Sequence, residues 1–143
     1  MAASLNHVNI ILDDVEAARD FFVRYFGFTA GEKETLTGKW ADTLNRMQDV
    51  QVEHIPMKLN DRILELQRFV NPPSPGDGKL AEPNRPGYRH LGFNVDDIDA
   101  AVEQLKAGGC TFLSDVQSVP NTTIRTVYFL GPEGILLQLT QQS

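Results

Sequence analysis

Four polar side chains with lone pairs interrupt short apolar runs of this sequence and could together bind a divalent metal ion. They are His7 in Leu-Asn-His-Val, Glu65 in Ile-Leu-Glu-Leu, His90 in Arg-His-Leu-Gly-Phe and Gln138 in Leu-Leu-Gln-Leu. Two imidazoles, one carboxylate and one amide oxygen suit borderline ions such as Zn, Ni, Co, Mn or Fe(II). This hypothesis requires structural elements that bring the four residues to one place.

Two segments of the chain are near copies of each other, which indicates an internal repeat. Residues 12–18 read Leu-Asp-Asp-Val-Glu-Ala-Ala, and residues 95–101 read Val-Asp-Asp-Ile-Asp-Ala-Ala. His7 and His90 are separated by the same number of residues as these two segments. Each histidine lies just upstream of its Asp-Asp pair. A repeat of this kind indicates that one structural unit is used twice. Two equivalent halves would hold the two imidazoles in equivalent positions, from which they can converge on one centre.

Each half of the chain is predicted to run strand–helix–strand–strand–strand. The strands are expected at about 5–12, 28–36, 50–58 and 61–69 in the first half, and at about 88–95, 110–117, 124–130 and 134–141 in the second. The helices follow the two Asp-Asp pairs, because aspartate caps a first helical turn, and they end at glycines. Residues 37–49 interrupt the first half as a loop or a short helix.

A segment rich in proline and glycine separates the two halves. Residues 71–87 contain five of the eight prolines of the chain. Proline has no N–H group to donate to a sheet, so this segment is predicted to be a linker. The length of 143 residues is typical of one domain. We therefore expect a single domain over 1–143, with module 1 at about 1–70 and module 2 at about 88–143.

Strand phase predicts which residues share a face, because side chains alternate across a strand. In the first and last strand of each half, one face is apolar and would pack under a helix, while the opposite face carries one of the four donors. Aligning residues 63–67 with residues 136–140 matches Glu65 with Gln138, so each half supplies a histidine and one oxygen donor. The polar faces also carry three residues that we expect to contact the substrate or support the ligands, namely Asn9, Gln67 and Asn94.

Composition and charge exclude several classes of function. The net charge of −6 and the isoelectric point near 4.9 argue against a nucleic-acid-binding protein, which usually has a basic face. No apolar run approaches the roughly 20 residues that cross a bilayer, and no signal peptide is visible. Cys110 is the one cysteine, so the chain forms no internal disulfide. We expect a cytoplasmic protein with a small-molecule substrate and without nucleic-acid or membrane partners.

The motifs of this chain resemble those of the vicinal oxygen chelate superfamily, also called the glyoxalase/bleomycin-resistance/dioxygenase group. The matching motifs span nearly the whole chain: Leu-Asn-His-Val (5–8), the Asp-Asp-Val-Glu-Ala-Ala helix start, Tyr-Phe-Gly-Phe (25–28), Ile-Leu-Glu-Leu (63–66), Arg-His-Leu-Gly-Phe (89–93) and Gly-Pro-Glu-Gly (131–134). The resemblance implies an α+β fold in which two tandem βαβββ modules form a curved mixed sheet around a metal-binding cleft. It implies one divalent ion on His7, Glu65, His90 and Gln138. It also implies a homodimer, because relatives often dimerise.

Gln138 departs from the usual pattern of this superfamily. The isomerases and epimerases that the chain resembles typically have a glutamate there, which often serves as the catalytic base, whereas an amide does not usefully accept a proton. Glu65 is the only carboxylate among the four donors and is therefore the candidate catalytic base. The resemblance to glyoxalases and methylmalonyl-CoA epimerases implies a metal-dependent lyase or isomerase that polarises a substrate carbonyl and stabilises an enediolate.

Three other functions stay open on the sequence. Two histidines and a carboxylate also suit an Fe(II) dioxygenase, although the extradiol relatives carry the carboxylate on the last strand. A non-catalytic binder similar to bleomycin-resistance proteins would use the cleft to sequester a ligand, although those proteins generally lack the metal ligands. Thiol transfer to fosfomycin fits the ligand pattern least. His54 has no histidine counterpart in the second half and is expected on a strand surface.

Overall fold

The computed structural model describes residues 1–76 and 78–143. They belong to two compact units, Met1–Gly76 and Asp77–Ser143. The boundary between the units lies within the predicted linker 71–87. Each unit contains its own five-stranded mixed sheet and one helix of at least ten residues.

Unit 1 contains five strands and two helices. In chain order they are β1 (Val8–Ile11), α1 (Val15–Phe26), β2 (Thr29–Ala30), β3 (Glu34–Thr37), α2 (Lys39–Asn45), β4 (Gln51–Leu59) and β5 (Arg62–Asn71). The strand order is β1-β5-β4-β2, and β3 also pairs with β4. The pairing of β1 with β5 is parallel and the other pairings are antiparallel. The first strand of the module therefore lies beside its last strand.

Unit 2 repeats this topology. Its elements are β6 (His90–Asn94), α3 (Ile98–Ala107), β7 (Thr111–Phe112), β8 (Gln117–Ser118), β9 (Ile124–Leu130), a 3-10 turn (Pro132–Gly134) and β10 (Leu136–Gln142). The strand order is β6-β10-β9-β7, and β8 also pairs with β9. Only the β6–β10 pairing in this sheet is parallel. The prediction of an α+β fold with two tandem modules is confirmed.

The single strands predicted at 28–36 and 110–117 are each two short strands in the structure. In unit 1, the N–H of Gly31 bonds to the carbonyl of Pro56 at 2.8 Å, and a Cβ on Gly31 would lie 2.6 Å from the Pro56 ring. In unit 2, the hydroxyl of Ser114 and the amide of Gln117 both donate to the carbonyl of Asp115. In unit 1, Pro56 has no N–H to donate to the neighbouring strand. In unit 2, such local bonds between side chain and backbone compete with a continuous ladder. Both predicted strands are therefore interrupted.

Residues 37–49 contain α2, which was one of the two predicted alternatives for this segment. This helix is short, and its one fully buried residue is Ala41. Ala41 packs in a small cluster with Val50 and Val52. The insertion therefore has its own apolar contacts beside the start of β4.

The two longer helices begin after the predicted Asp-Asp pairs, and the second aspartate of each pair is the cap. Oδ1 of Asp14 accepts a hydrogen bond from the N–H of Ala17, and Oδ1 of Asp97 accepts one from the N–H of Ala100, both at 3.0 Å. Gly27 ends α1 with a φ of 73°, in the left-handed region that favours glycine. In the described part of the chain, no helix has the length and apolar character that crossing a membrane requires.

The helix-facing side of each sheet forms the core of its unit. The helix α1 packs on β4 and β5, and α3 packs on β10. Burying each large apolar side chain contributes about 1.5–3 kcal/mol to stability. The side chains on this face are at most 4% exposed: Ile55, Met57, Leu64 and Leu66 in unit 1, and Val127, Phe129, Leu137 and Leu139 in unit 2.

Candidate metal centre

The sheet faces opposite the helices carry the predicted donor residues. Along β5, buried leucines alternate with the half-buried Glu65 and Gln67. Along β10, buried leucines alternate with the half-buried Gln138 and Thr140. Strand alternation thus directs the oxygen donors away from the apolar core of each unit, to the side that a ligand can reach.

His7 and Glu65 form a close pair in unit 1. Nε2 of His7 lies 3.2 Å from Oε2 of Glu65, and the two side chains are 38% and 23% exposed. On the other edge of the ring, Nδ1 lies 2.7 Å from Oδ1 of Asn6. Because the Asn6 oxygen can only accept, Nδ1 of His7 is the donor of this bond.

This spacing suits two ligands of one metal ion. Metal–nitrogen and metal–oxygen bonds of about 2.0–2.2 Å would separate neighbouring ligand atoms by about 3.0 Å in an octahedral site and about 3.4 Å in a tetrahedral one. The observed distance of 3.2 Å between Nε2 of His7 and Oε2 of Glu65 lies between these two values. The residues of unit 1 therefore fit a bound divalent ion.

Thr126 fixes the side-chain amide of Gln138 in unit 2. The hydroxyl of Thr126 donates its only proton to the carbonyl of Leu139 at 2.9 Å. Its oxygen must therefore accept from Nε2 of Gln138, at 2.8 Å. Oε1 of Gln138 is therefore on the side away from Thr126 and lies next to Gly92. A Cβ atom added to Gly92 would be 3.4 Å from this oxygen. The amide thus presents its oxygen, which is the atom that binds metals.

Tyr128 positions the other predicted ligand of unit 2. The ring of His90 meets the ring of Tyr128 in an edge-to-face contact, with 5.1 Å between centroids and 73° between planes. Tyr128 lies opposite Gln138 in the antiparallel β9–β10 ladder. One tyrosine therefore lies beside both predicted ligands of this unit.

The strand register makes the two donor pairs equivalent. In the parallel ladder of unit 1, Asn9 lies opposite Glu65, and in that of unit 2, Gly92 lies opposite Gln138. The two histidines lie two positions before Asn9 and Gly92. Each sheet thus presents a histidine and an oxygen donor from the same two positions.

Two of the three predicted substrate contacts belong to one hydrogen-bonded row in unit 1. Nδ2 of Asn9 donates to Oε1 of Gln67 at 3.3 Å, and Nε2 of Gln67 lies 3.0 Å from Nδ1 of His54. The third, Asn94, ends β6 in unit 2, where it is exposed and lies opposite Thr140. The structure therefore brings Asn9 and Gln67 together with a histidine, His54.

Across residues 1–76 and 78–143, no group of three or more His, Cys, Asp or Glu side chains lies close enough to hold a metal ion. The structure brings His7 and Glu65 into contact in unit 1. It places His90 and Gln138 at the matching positions of unit 2. Each unit therefore holds one pair of candidate donors.

The predicted site residues do not include three residues of these polar faces, namely His54, Thr126 and Tyr128. A signal for His54 was present, because the two-residue turn Asn60-Asp61 joins β4 directly to β5. Counting back from this turn places His54 opposite Gln67, which is the pairing observed. For Thr126 and Tyr128, the connection between β9 and β10 is longer, so the register of these two strands cannot be counted from the turn.

Comparisons with known proteins agree with this topology. A profile of the Glyoxalase/Bleomycin resistance protein/Dioxygenase superfamily matches residues 4–139. The uncharacterized protein YaeR of Escherichia coli K12 is 30% identical over 141 residues, which cover 96% of this chain and 95% of YaeR. The mitochondrial methylmalonyl-CoA epimerase of Bos taurus is 29% identical over 140 residues, which cover 96% of this chain and 73% of the epimerase.

Solved structures show the same fold. A glyoxalase family protein from Bacillus cereus has a TM-score of 0.90 and 29% identity, covering 99% of this chain and 95% of its own. The fosfomycin resistance protein FosX of Listeria monocytogenes, solved with Mn(II) and sulfate, has a TM-score of 0.62 and 16% identity, covering 100% of this chain and 95% of its own. At 16% identity, this second likeness concerns the fold alone.

Proposed function

The chain belongs to the Glyoxalase/Bleomycin resistance protein/Dioxygenase superfamily, and from this membership we propose that it is a metal-dependent isomerase or lyase. Its substrate is a small carbonyl compound, and the reaction moves a proton at the carbon next to the carbonyl. The observation that carries this proposal is the 3.2 Å contact between Nε2 of His7 and Oε2 of Glu65.

The donor chemistry supports one divalent ion held by His7, Glu65, His90 and Gln138. The histidine and oxygen donor of unit 1 have counterparts at equivalent register positions in unit 2. Imidazole, carboxylate and amide oxygen together favour Zn, Ni, Co, Mn or Fe over the harder ions Mg and Ca. When bound, such an ion polarises a carbonyl and stabilises negative charge on its oxygen.

Glu65 is the residue that accepts the substrate proton. Its side chain is the one carboxylate of the donor set, so it is the group that can take the proton from the C–H bond beside the carbonyl. Gln138 does not share this role, because a neutral amide oxygen is a very weak base. Thr126 instead orients the Gln138 oxygen as a ligand. The asymmetry of the two donor pairs therefore assigns proton transfer to unit 1.

The test combines metal analysis with proton exchange in D2O. Purified wild type is analysed for bound metals and then incubated with methylmalonyl-CoA and with the hemithioacetal of methylglyoxal and glutathione. We expect a bound divalent ion and deuterium incorporation at the carbon next to the carbonyl of at least one compound. Glu65→Ala should abolish incorporation, whereas Asp61→Ala, which removes an exposed turn carboxylate, should not.

Two results would contradict this function. If the wild-type protein binds no divalent ion, the four donors have no role as metal ligands in catalysis. That result would favour a non-catalytic binder. Iron with consumption of O2 and no proton exchange favours the dioxygenase, for which two histidines and Glu65 would also serve.

A further inference from the structure

His54 ends the hydrogen-bonded row on the polar face of unit 1. It lies opposite Gln67 in the β4–β5 ladder, so both side chains point to the same face of the sheet as Glu65. The side chain of His54 is half-buried, and Nδ1 lies 3.0 Å from Nε2 of Gln67. The imidazole is therefore held on one edge by a neighbouring strand.

The amides of this row determine which ring nitrogen carries the proton. Oε1 of Gln67 accepts from Nδ2 of Asn9 at 3.3 Å, so the NH2 group of Gln67 faces His54. An amide nitrogen can only donate, and Nδ1 of His54 must therefore accept. The neutral ring then carries its proton on Nε2. Among residues 1–76 and 78–143, this Nε2–H has no hydrogen-bond partner.

The same row ends differently in unit 2. The register places Thr126 and Thr140 where unit 1 has His54 and Gln67. There the hydroxyl oxygen of Thr126 accepts a hydrogen bond from Gln138 and lies 3.2 Å from the hydroxyl of Thr140. Unit 2 thus uses these positions to fix the Gln138 amide. In unit 1 the row ends at Nε2–H of His54, the outward donor, on the ring edge away from Gln67.

We propose that Nε2–H of His54 donates a hydrogen bond to an oxygen of the substrate, and that Asn9 and Gln67 orient the ring for this role. This rests on the proposed function, since the acceptor is a carbonyl or carboxylate oxygen of the substrate. A neutral imidazole suits the task because it donates without adding a full charge beside the base. A preorganised donor of this kind is most effective where negative charge develops on oxygen.

One test reads the tautomer without using activity. In a long-range 1H–15N spectrum of the Zn(II)-loaded protein, the signals of His54 are identified by their loss in His54→Asn. We expect a protonated Nε2 and an unprotonated Nδ1. Adding malonate, a dicarboxylate probe, should move the Nε2–H signal downfield. A proton on Nδ1, or a signal that saturating malonate leaves unchanged, would overturn the proposal.

A second test uses two amide substitutions that mimic opposite nitrogens of the ring. In His54→Gln the amide nitrogen takes the place of Nε2 and keeps the outward donor. In His54→Asn the amide oxygen takes the place of Nδ1 and keeps the bond from Gln67 but loses the outward donor. We expect His54→Gln to retain kcat/KM for proton exchange within about tenfold, and His54→Asn to lose about 100-fold, with unchanged metal content.

The outcomes separate this proposal from the proposed function. Equal exchange rates in wild type and His54→Asn overturn the role of His54 while leaving the metal-dependent reaction intact. Absence of exchange in wild type overturns the reaction, and the tautomer and the malonate titration then decide the role of His54 by themselves.

Discussion

Nε2 of His7 lies 3.2 Å from Oε2 of Glu65, where the chain enters β1 beside its parallel partner β5. The contact joins the start of module 1 to its last strand. Asn6 holds the opposite edge of the His7 ring at 2.7 Å, so the imidazole is fixed on both sides. A donor pair that is already oriented would lose little freedom on binding an ion, which would favour high affinity.

Replacing Glu65 by glutamine should weaken metal binding while preserving the fold. Glu65→Gln keeps the shape of the side chain but removes the only carboxylate of the donor set. We expect the Kd for Mn(II), measured by calorimetry, to rise on the order of tenfold or more, and proton exchange to disappear. Glu32→Gln makes the same charge change at an exposed position. Equal Mn(II) affinity in the two variants would contradict the role of Glu65.

Thr126→Val should weaken metal binding without touching a ligand. The substitution keeps the side-chain shape but removes the acceptor that holds Nε2 of Gln138 at 2.8 Å. The amide can then rotate, and we expect metal affinity to fall by about 10- to 100-fold. Thr140→Val is the matched control, because the Thr140 hydroxyl contacts Thr126. A similar loss in both variants would indicate general disturbance of the sheet instead of a freed amide.

Helices and strands of this fold could be predicted where they depend on residues close together in the sequence. The helices begin after the two Asp-Asp pairs as predicted, because a cap depends on residues within one turn, and the caps are Asp14 and Asp97. The polar face of β5 was also predictable, since strand alternation has a fixed period. The interruption at Gly31 was not, because it depends on the ring of Pro56 in another strand.

Most hydrogen-bond partners of the site could not be predicted from the sequence, because they also depend on residues in other strands. The bond from Gln138 to Thr126 depends on the register between β9 and β10, which the turn at 131–135 sets through its backbone geometry. His54 is the exception, since the short turn between β4 and β5 allows its partner to be counted. Its contact with Gln67 was not predicted, because the repeat offers no second histidine for comparison.

Removing the cap of α3 should destabilise the protein by an amount typical of a helix cap. Asp97→Ala deletes the acceptor for the N–H of Ala100. We expect the free energy of unfolding, measured with urea, to fall by about 1 kcal/mol. Asp96→Ala removes an exposed charge at the preceding position and should change stability by less than half as much. Equal effects would indicate that charge near the helix start, and not the cap, is responsible.

Cys110 should react slowly with alkylating reagents in the folded protein. Partial burial raises the pKa of its thiol. At any pH below that pKa, the folded chain therefore contains less thiolate, which is the reactive form, than the unfolded chain. We expect iodoacetamide to modify native protein more slowly than urea-unfolded protein at pH 8, with the difference narrowing as pH rises. Faster modification of the native protein would contradict the direction of the shift.

Metal stoichiometry should reveal whether the two donor pairs serve one ion. The proposed function combines His7 and Glu65 with His90 and Gln138, so wild type should bind about one ion per chain. His7→Ala and His90→Ala should then each lose most of the bound metal, because either change removes one of only two imidazoles. If each unit instead bound its own ion, wild type would hold about two ions per chain and each variant would retain one. Titration with Zn(II), followed by elemental analysis after gel filtration, distinguishes the two results. Asp61→Ala, with its exposed carboxylate removed, gives the background for nonspecific binding.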